Sequence, residues 1–123
     1  MALPLQQQQS GPVSPHPLIL EATCIVRSND AVNEDYRLLI LDAPRAILDC
    51  QPGQFFHLKC PERGAHQPYL RRPMSIYGFY PDKEELHFLY KIAGEGTAAM
   101  AGLRKGDAFN VLGPLGHGFE IRP

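Results

Sequence analysis

Twelve prolines and eleven glycines punctuate this chain of 123 residues. Between them lie short stretches rich in β-branched and aromatic side chains. Proline removes a backbone donor and glycine favours sharp turns, so a chain interrupted this often cannot lay down long helices. It predicts short strands joined by frequent turns. The length suits one domain with its own hydrophobic core. A net charge of -1 gives no general attraction to nucleic acid or anionic lipid, so an anion must be held by a local constellation. No stretch approaches the roughly 20 apolar residues of a membrane span. The first residues lack the basic and apolar regions of a signal peptide. Residues 1–16, rich in glutamine, proline and serine, are expected to be a disordered lead-in to a single domain over 17–123. Cys24, Cys50 and Cys60 are scattered and odd in number, which argues against a disulfide framework and fits a reducing, cytoplasmic setting.

The strands can be placed. Leu18–Arg27 is β-rich and runs into the turn formers Ser28, Asn29 and Asp30. Asp35–Asp42 and Phe55–Cys60 follow, the latter fed by the turn at Pro52, Gly53 and Gln54. A polar loop over Pro61–Gln67 precedes one long run, Tyr69–Tyr80. Glu85–Ile92 and Ala108–Leu112 complete the set, and Gly113–Pro123 reads as a loop. One helix is expected over Ala98–Leu103, capped by the Thr97 hydroxyl. Six strands and one short helix predict an all-β, six-stranded antiparallel Greek-key barrel.

Two segments carry chemistry. Arg71 and Arg72 precede Pro73, Met74, Ser75 and Ile76 in a strand-like run. Guanidinium forks suit phosphate, and strand alternation puts Arg72, Met74 and Ile76 on one face and Arg71, Pro73 and Ser75 on the other. A bend at Pro73 would let Arg72 and Ser75 converge on one ligand. Gly94, Glu95, Gly96 and Thr97 then lead into the helix, where glycines let backbone amides approach an anion and Thr97 adds a hydroxyl. Each has a plainer reading alone, as a solvated arginine pair or an ordinary helix start. Together they form a two-sided clamp for a diphosphate.

These residues resemble the flavin-binding motifs of the ferredoxin reductase superfamily. Arg72-Pro-Met-Ser75 resembles its Arg-x-x-Ser flavin motif and Gly94-Glu-Gly-Thr97 its Gly-x-x-Ser/Thr diphosphate motif. Pro52-Gly-Gln-Phe55 and the segment from Leu103 to Gly116 are similar to a recurrent turn and to the barrel-closing stretch. The likeness covers residues 18 to 120 and is strongest to the electron-transfer subunits of the dihydroorotate dehydrogenase B branch, which serve pyrimidine biosynthesis. It implies that Arg72, Gly96 and Thr97 hold the diphosphate of FAD, that Ser75 bonds near the reactive edge of the flavin, and that Pro73 and Met74 lie along the ring. Leu89, Tyr90 and Lys91 would form part of the flavin and ribityl wall. Many relatives have an aromatic residue where Met74 stands. The resemblance further implies an oxidoreductase that relays electrons between a nicotinamide cofactor and an iron–sulfur or flavin partner. That partner would be a catalytic dihydroorotate dehydrogenase subunit or a ferredoxin-like protein. NAD(P) and a [2Fe–2S] cluster belong to the part of the parent protein expected beyond Pro123, and this chain alone is expected to be inactive. Its cysteines lack the C-x₄-C-x₂-C spacing of such a cluster, and its histidines lack zinc spacing, so no metal is assigned.

Gly113, Gly116 and Gly118 invite a dinucleotide-loop reading, but Pro114 interrupts them and no helix follows. Ser75 lacks a nucleophile elbow, and no catalytic residue is assigned. The competing class is a small oligonucleotide-binding barrel with Phe55, Phe56, Tyr77, Tyr80, Phe88 and Tyr90 on an aromatic face. The acidic balance opposes it.

Overall fold

The computed structural model describes residues 19–61 and 71–117. The lead-in over 1–16, most of the polar loop after Pro61, and the segment from Gly118 onward lie outside the described residues. Seven strands follow in chain order: β1 (Leu20–Ala31), β2 (Tyr36–Asp42), β3 (Phe55–Lys59), β4 (Arg71–Ser75), β5 (Gly78–Tyr80), β6 (Glu85–Lys91) and β7 (Ala108–Leu115). One helix, α1 (Glu95–Ala101), lies between β6 and β7. The strands form one sheet in the order β4-β3-β7-β1-β2-β6-β5, and every pairing is antiparallel.

The expected architecture is present with one strand more. The run ending at Tyr80 is two strands, β4 and β5, at opposite ends of the sheet. Only Ile76 and Tyr77 separate them. The Ile76 amide donates to Gln54 O beside β3 at 3.2 Å, while the Tyr77 amide donates to His87 O on β6 at 2.9 Å. Successive amides thus bond to opposite ends of the sheet. Since each residue spans at most about 3.6 Å, the two ends must meet there and the sheet must curl on itself.

Gln54 secures this corner. Its own side chain accepts from the Gln51 amide at 2.8 Å and donates to Gly116 O at 2.9 Å, and it is buried. The Pro52-Gly-Gln turn therefore ties the start of β3 to the end of β7 as well as to the β4–β5 bend.

Alternation along the strands builds the core. Leu86, Phe88 and Tyr90 of β6 point inward, as do Leu39 and Leu41 of β2, Phe56 and Leu58 of β3, and Phe109 and Val111 of β7. Phe56 and Phe88 meet edge to face with centroids 5.9 Å apart. Each fully buried aromatic or aliphatic side chain contributes about 1.5–3 kcal/mol. β7 runs through Leu115, so Gly113 and Pro114 are strand, not loop. Gly113 pairs with Leu20, and a Cβ there would stand 2.6 Å from the Phe56 ring, which glycine alone avoids.

The turn expected at Ser28–Asp30 is a further correction. β1 continues through it to Ala31, with a bulge at Arg27 where the register with β2 shifts between Val26 and Ser28. Asn29 faces inward and is buried because its amide is fully used. Its Nδ2 donates to Met100 O at 2.8 Å and Leu103 O at 3.1 Å, and its Oδ1 accepts from the Tyr90 hydroxyl at 2.8 Å. One side chain thus fastens the last turn of α1 to two strands. Tertiary bonding overrides a local turn preference.

Asn29→Ala would leave those partners without their bonds, each at a cost of about 1–3 kcal/mol where water does not replace the asparagine. The variant should lose about 2–3 kcal/mol of unfolding free energy in urea denaturation with an unchanged m-value. A loss below about 0.5 kcal/mol would mean that α1 is held by other contacts.

Candidate functional site

β4 is where the two arginines part. Arg71 stands opposite Lys59 and Arg72 opposite Leu58, whose side chain is fully buried. Cross-strand partners share a face, so Arg72 leaves β4 on the core side at the rim and Arg71 on the outer side. Arg71 is fully engaged there. It pairs with Glu21 at 2.9 Å, donates to His57 O at 3.3 Å and hydrogen-bonds the side chain of Asn110. Arg72 is exposed and, among the described residues, has no hydrogen-bond or ion-pair partner.

Opposite Arg72 lies the start of α1. Gly94 is the N-cap residue and makes no side-chain bond, so the helix begins before Thr97 and not after it. Thr97 sits inside the first turn. Its Oγ1 accepts from the Ala93 amide at 2.8 Å and donates to Gly94 O at 3.3 Å, which closes the approach to the helix. The expected threonine cap is corrected to a threonine that braces the residues preceding the helix.

Arg72, Pro73 and Met74 on one side, and Ala93, Gly94, Glu95, Gly96 and Thr97 on the other, enclose a cleft of about 270 Å³. The two motifs that the sequence joins into a clamp are thus the two walls of one cavity. Ser75 is not in the lining; it stands opposite Phe55 at the barrel corner. Leu89, Tyr90 and Lys91 are not in it either. Leu89 and Lys91 lie on the outer face of β6, and the Tyr90 ring is buried with its hydroxyl committed to Asn29. Tyr90 therefore offers a ligand its backbone and not its ring.

The glycines of the cleft serve different ends. A Cβ on Gly96 would meet Cys60 Sγ at 3.1 Å and Arg72 Nε at 3.4 Å, so the bare helix turn lets the arginine stem pack against it. A Cβ on Gly94 would meet nothing within 4 Å, and its φ of 167° is extended backbone open to any residue. Neither packing nor backbone strain demands glycine at 94. Its bareness leaves room in the cleft for a ligand to approach the chain. An exposed guanidinium without a partner among the described residues, facing the backbone amides of a glycine-led helix start, is a donor set that fits a diphosphate.

Cys60 is a residue at the site that no sequence motif marks. It follows β3 directly, is buried, and lies against Gly96 within the electrostatic reach of Arg72. Burial pushes its thiol up from the usual range, and the Arg72 guanidinium partly offsets this. Only the β3–β4 register places it there, and no spacing in the chain announces that. Three of the six aromatics considered for a nucleic-acid face, Phe56, Phe88 and Tyr90, are buried in the core and present no common surface. Among the described residues, no helix is long and apolar enough to cross a membrane, and no three His, Cys, Asp or Glu side chains gather to hold a metal.

No protein-family model matches the chain. Over 102 residues it is 37% identical to the dihydroorotate dehydrogenase B (NAD(+)) electron transfer subunit of Bacillus velezensis, a match covering 83% of this chain and 39% of that protein. The Bacillus cereus subunit of the same name is 46% identical over 71 residues, or 58% of this chain and 27% of that one. The chain thus spans well under half of these relatives. Among solved structures, the CS-b5R domains of human Ncb5or in the NAD+ form superpose with a TM-score of 0.67 at 27% identity, covering 84% of this chain and 32% of that one. An NADH-dependent reduced ferredoxin-NADP oxidoreductase gives a TM-score of 0.68 at 24% identity, covering 80% and 34%. The resemblance read from the motifs holds in both sequence and fold.

Alanine in a helix ordinarily gains up to about 1 kcal/mol over glycine. At position 96 it should instead cost about 1 kcal/mol, because the buried Cys60 sulfur cannot retreat. The Gly96→Ala/Cys60→Ala double variant should recover part of that loss in a urea-denaturation cycle. A Gly96→Ala variant more stable than the parent would show that the helix start is not pressed against Cys60.

Proposed function

We propose that this chain, a ferredoxin-reductase-type barrel related to the dihydroorotate dehydrogenase B electron transfer subunits, is the FAD-binding module of an electron-transfer oxidoreductase. The observation that carries the reading is Arg72, without a partner among the described residues, facing the glycine-led start of α1 across a cleft. In this reading Arg72 holds the FAD diphosphate from one side, and Gly96 and Thr97 hold it from the other. Pro73 and Met74 support the ring, and Ser75 reaches its reactive edge from the barrel corner. Leu89 and Lys91, with the backbone of Tyr90, extend the wall along the outer face of β6.

FAD, when bound, supplies the exchange of a hydride for single electrons, and the protein supplies position and electrostatics. The parent protein relays electrons between NAD(P)H and a partner, the catalytic dihydroorotate dehydrogenase subunit or a ferredoxin-like protein. Its nicotinamide site and [2Fe–2S] cluster lie in parts of the parent other than this barrel. The relay operates in the cytoplasm, in the service of pyrimidine synthesis.

The two arginines give a split test. Arg72→Ala removes a charge-assisted contact worth about 1.5–3 kcal/mol, so FAD affinity should fall roughly tenfold to a hundredfold in a flavin-fluorescence titration. Arg71→Ala should leave affinity nearly unchanged and lower the urea midpoint instead, since Arg71 is tied to Glu21 and Asn110. Equal affinities for the two variants would remove Arg72 from the site.

Hydride transfer draws much of its rate from positioning, up to about 7–11 kcal/mol of barrier. The barrel alone should therefore reduce bound FAD with NADH no faster than NADH reduces free FAD. Stopped-flow bleaching of the flavin band at equal concentration tests this, and a hundredfold enhancement would place a nicotinamide site in the barrel itself.

A further inference from the structure

At the other end of α1 lies a second and larger cavity, of about 600 Å³. It is bounded by the bulge of β1, by Arg37 of β2 and by the turn that follows the helix. Its lining brings together Arg27, Arg37, Arg104 and Lys105 against a single carboxylate, Asp30. We propose that this cavity binds a small multivalent oxyanion, phosphate- or carboxylate-bearing.

Three observations carry the proposal. First, the positive charge is only partly compensated. Arg27 pairs with Asp42 at 2.7 Å and Glu85 at 3.4 Å, but among the described residues Arg37, Arg104 and Lys105 have no carboxylate partner. Charged groups drawn together in a concavity without counter-charge repel one another and lose hydration, and a bound anion relieves both. Second, Arg37 is half satisfied. Its Nη2 donates to Asn29 O at 2.5 Å, while its Nε is buried without a partner among the described residues. The bond to Asn29 O fixes the guanidinium in the cavity wall, so its charge is positioned before an oxyanion arrives.

Third, the walls are fixed to one another. Asn29 holds the carbonyls of Met100 and Leu103. The Val26 amide donates to Asp107 O and the Gly106 amide to Val26 O, both at 2.8 Å. Asp107 in turn accepts the Arg104 amide on its side chain at 2.8 Å, which closes the turn that presents Arg104 and Lys105. The cavity is therefore a built concavity rather than a gap between mobile side chains. Its volume exceeds what a lone ion needs and suits a metabolite-sized anion. Its lining shares no residue with the cleft at Arg72. The inference therefore stands independently of the FAD reading.

The test uses the full chain and two probes, sodium pyrophosphate and sodium citrate, each against sodium chloride at matched ionic strength. Isothermal titration and thermal melts should show saturable binding of at least one probe, with a rise in melting temperature beyond that in chloride. Pyrophosphate alone would mark the site as phosphate-binding, citrate alone as carboxylate-binding, and both as a general oxyanion site. The Arg104→Ser/Lys105→Ser variant changes only exposed side chains and should keep the parent circular dichroism while binding at least tenfold more weakly. Because pyrophosphate also mimics the diphosphate assigned to the Arg72 cleft, these comparisons are made in the Arg72→Ala background, in which saturable binding at this cavity should persist. No effect beyond chloride, undiminished binding in the Arg104→Ser/Lys105→Ser variant, or binding abolished by Arg72→Ala would each overturn the proposal.

Discussion

The barrel turns on a two-residue corner. Ile76 and Tyr77 carry the chain from one end of the sheet to the other, with one amide bonded to Gln54 beside β3 and the next to His87 on β6. Everything that positions the candidate site follows from that transfer. Because β4 ends at the corner, its register against β3 is fixed, with Phe55 opposite Ser75 and Leu58 opposite Arg72. That register sends Arg72 to the rim of the core face and Arg71 to the outside. A slip of one residue would exchange them, placing in the cleft the arginine that now anchors Glu21.

Two buried amides do what a larger core does in a bigger domain. Gln54 gathers β3, β7 and the corner, and Asn29 gathers β1, β6 and the end of α1. Both satisfy their polar atoms within the protein, which turns a group that is costly to bury into a directional fastener. Hydrophobic burial draws the strands together without specifying where a seven-residue helix must sit. Asn29 supplies that specification, and the cleft at one end of α1 and the basic cavity at the other inherit their shapes from it.

Much of this was legible in the chain. Strand positions follow from alternation, which reflects a one-sided core, and the two motif walls are legible as a pair from the kinds of residue they carry. The misreadings share a cause. Ser28–Asp30 has the composition of a turn, and Asn29 lies in a strand only because carbonyls seventy residues away accept its amide. The Tyr90 hydroxyl serves the same asparagine, a role that the motif around it does not announce. Thr97 was given the cap, though the helix starts at Glu95 and the threonine bonds backward to Ala93. Cys60 went unread because its neighbours come from β4 and α1. Local pattern reports local preference, and these residues answer to partners far along the chain.

The placement of Pro73 carries a consequence for how copies of this protein meet one another. β4 and β5 end the sheet, and an end strand is a template onto which another chain can add. β5 is only three residues long and offers little to pair with. β4 is five residues long and interrupts its row of donors with a proline, beside which Arg72 holds an exposed charge. A proline and an exposed charge on an edge strand both disfavour strand addition. The residues best suited to grip an anion are thus also those that keep the open seam of the barrel from recruiting neighbours into a growing sheet.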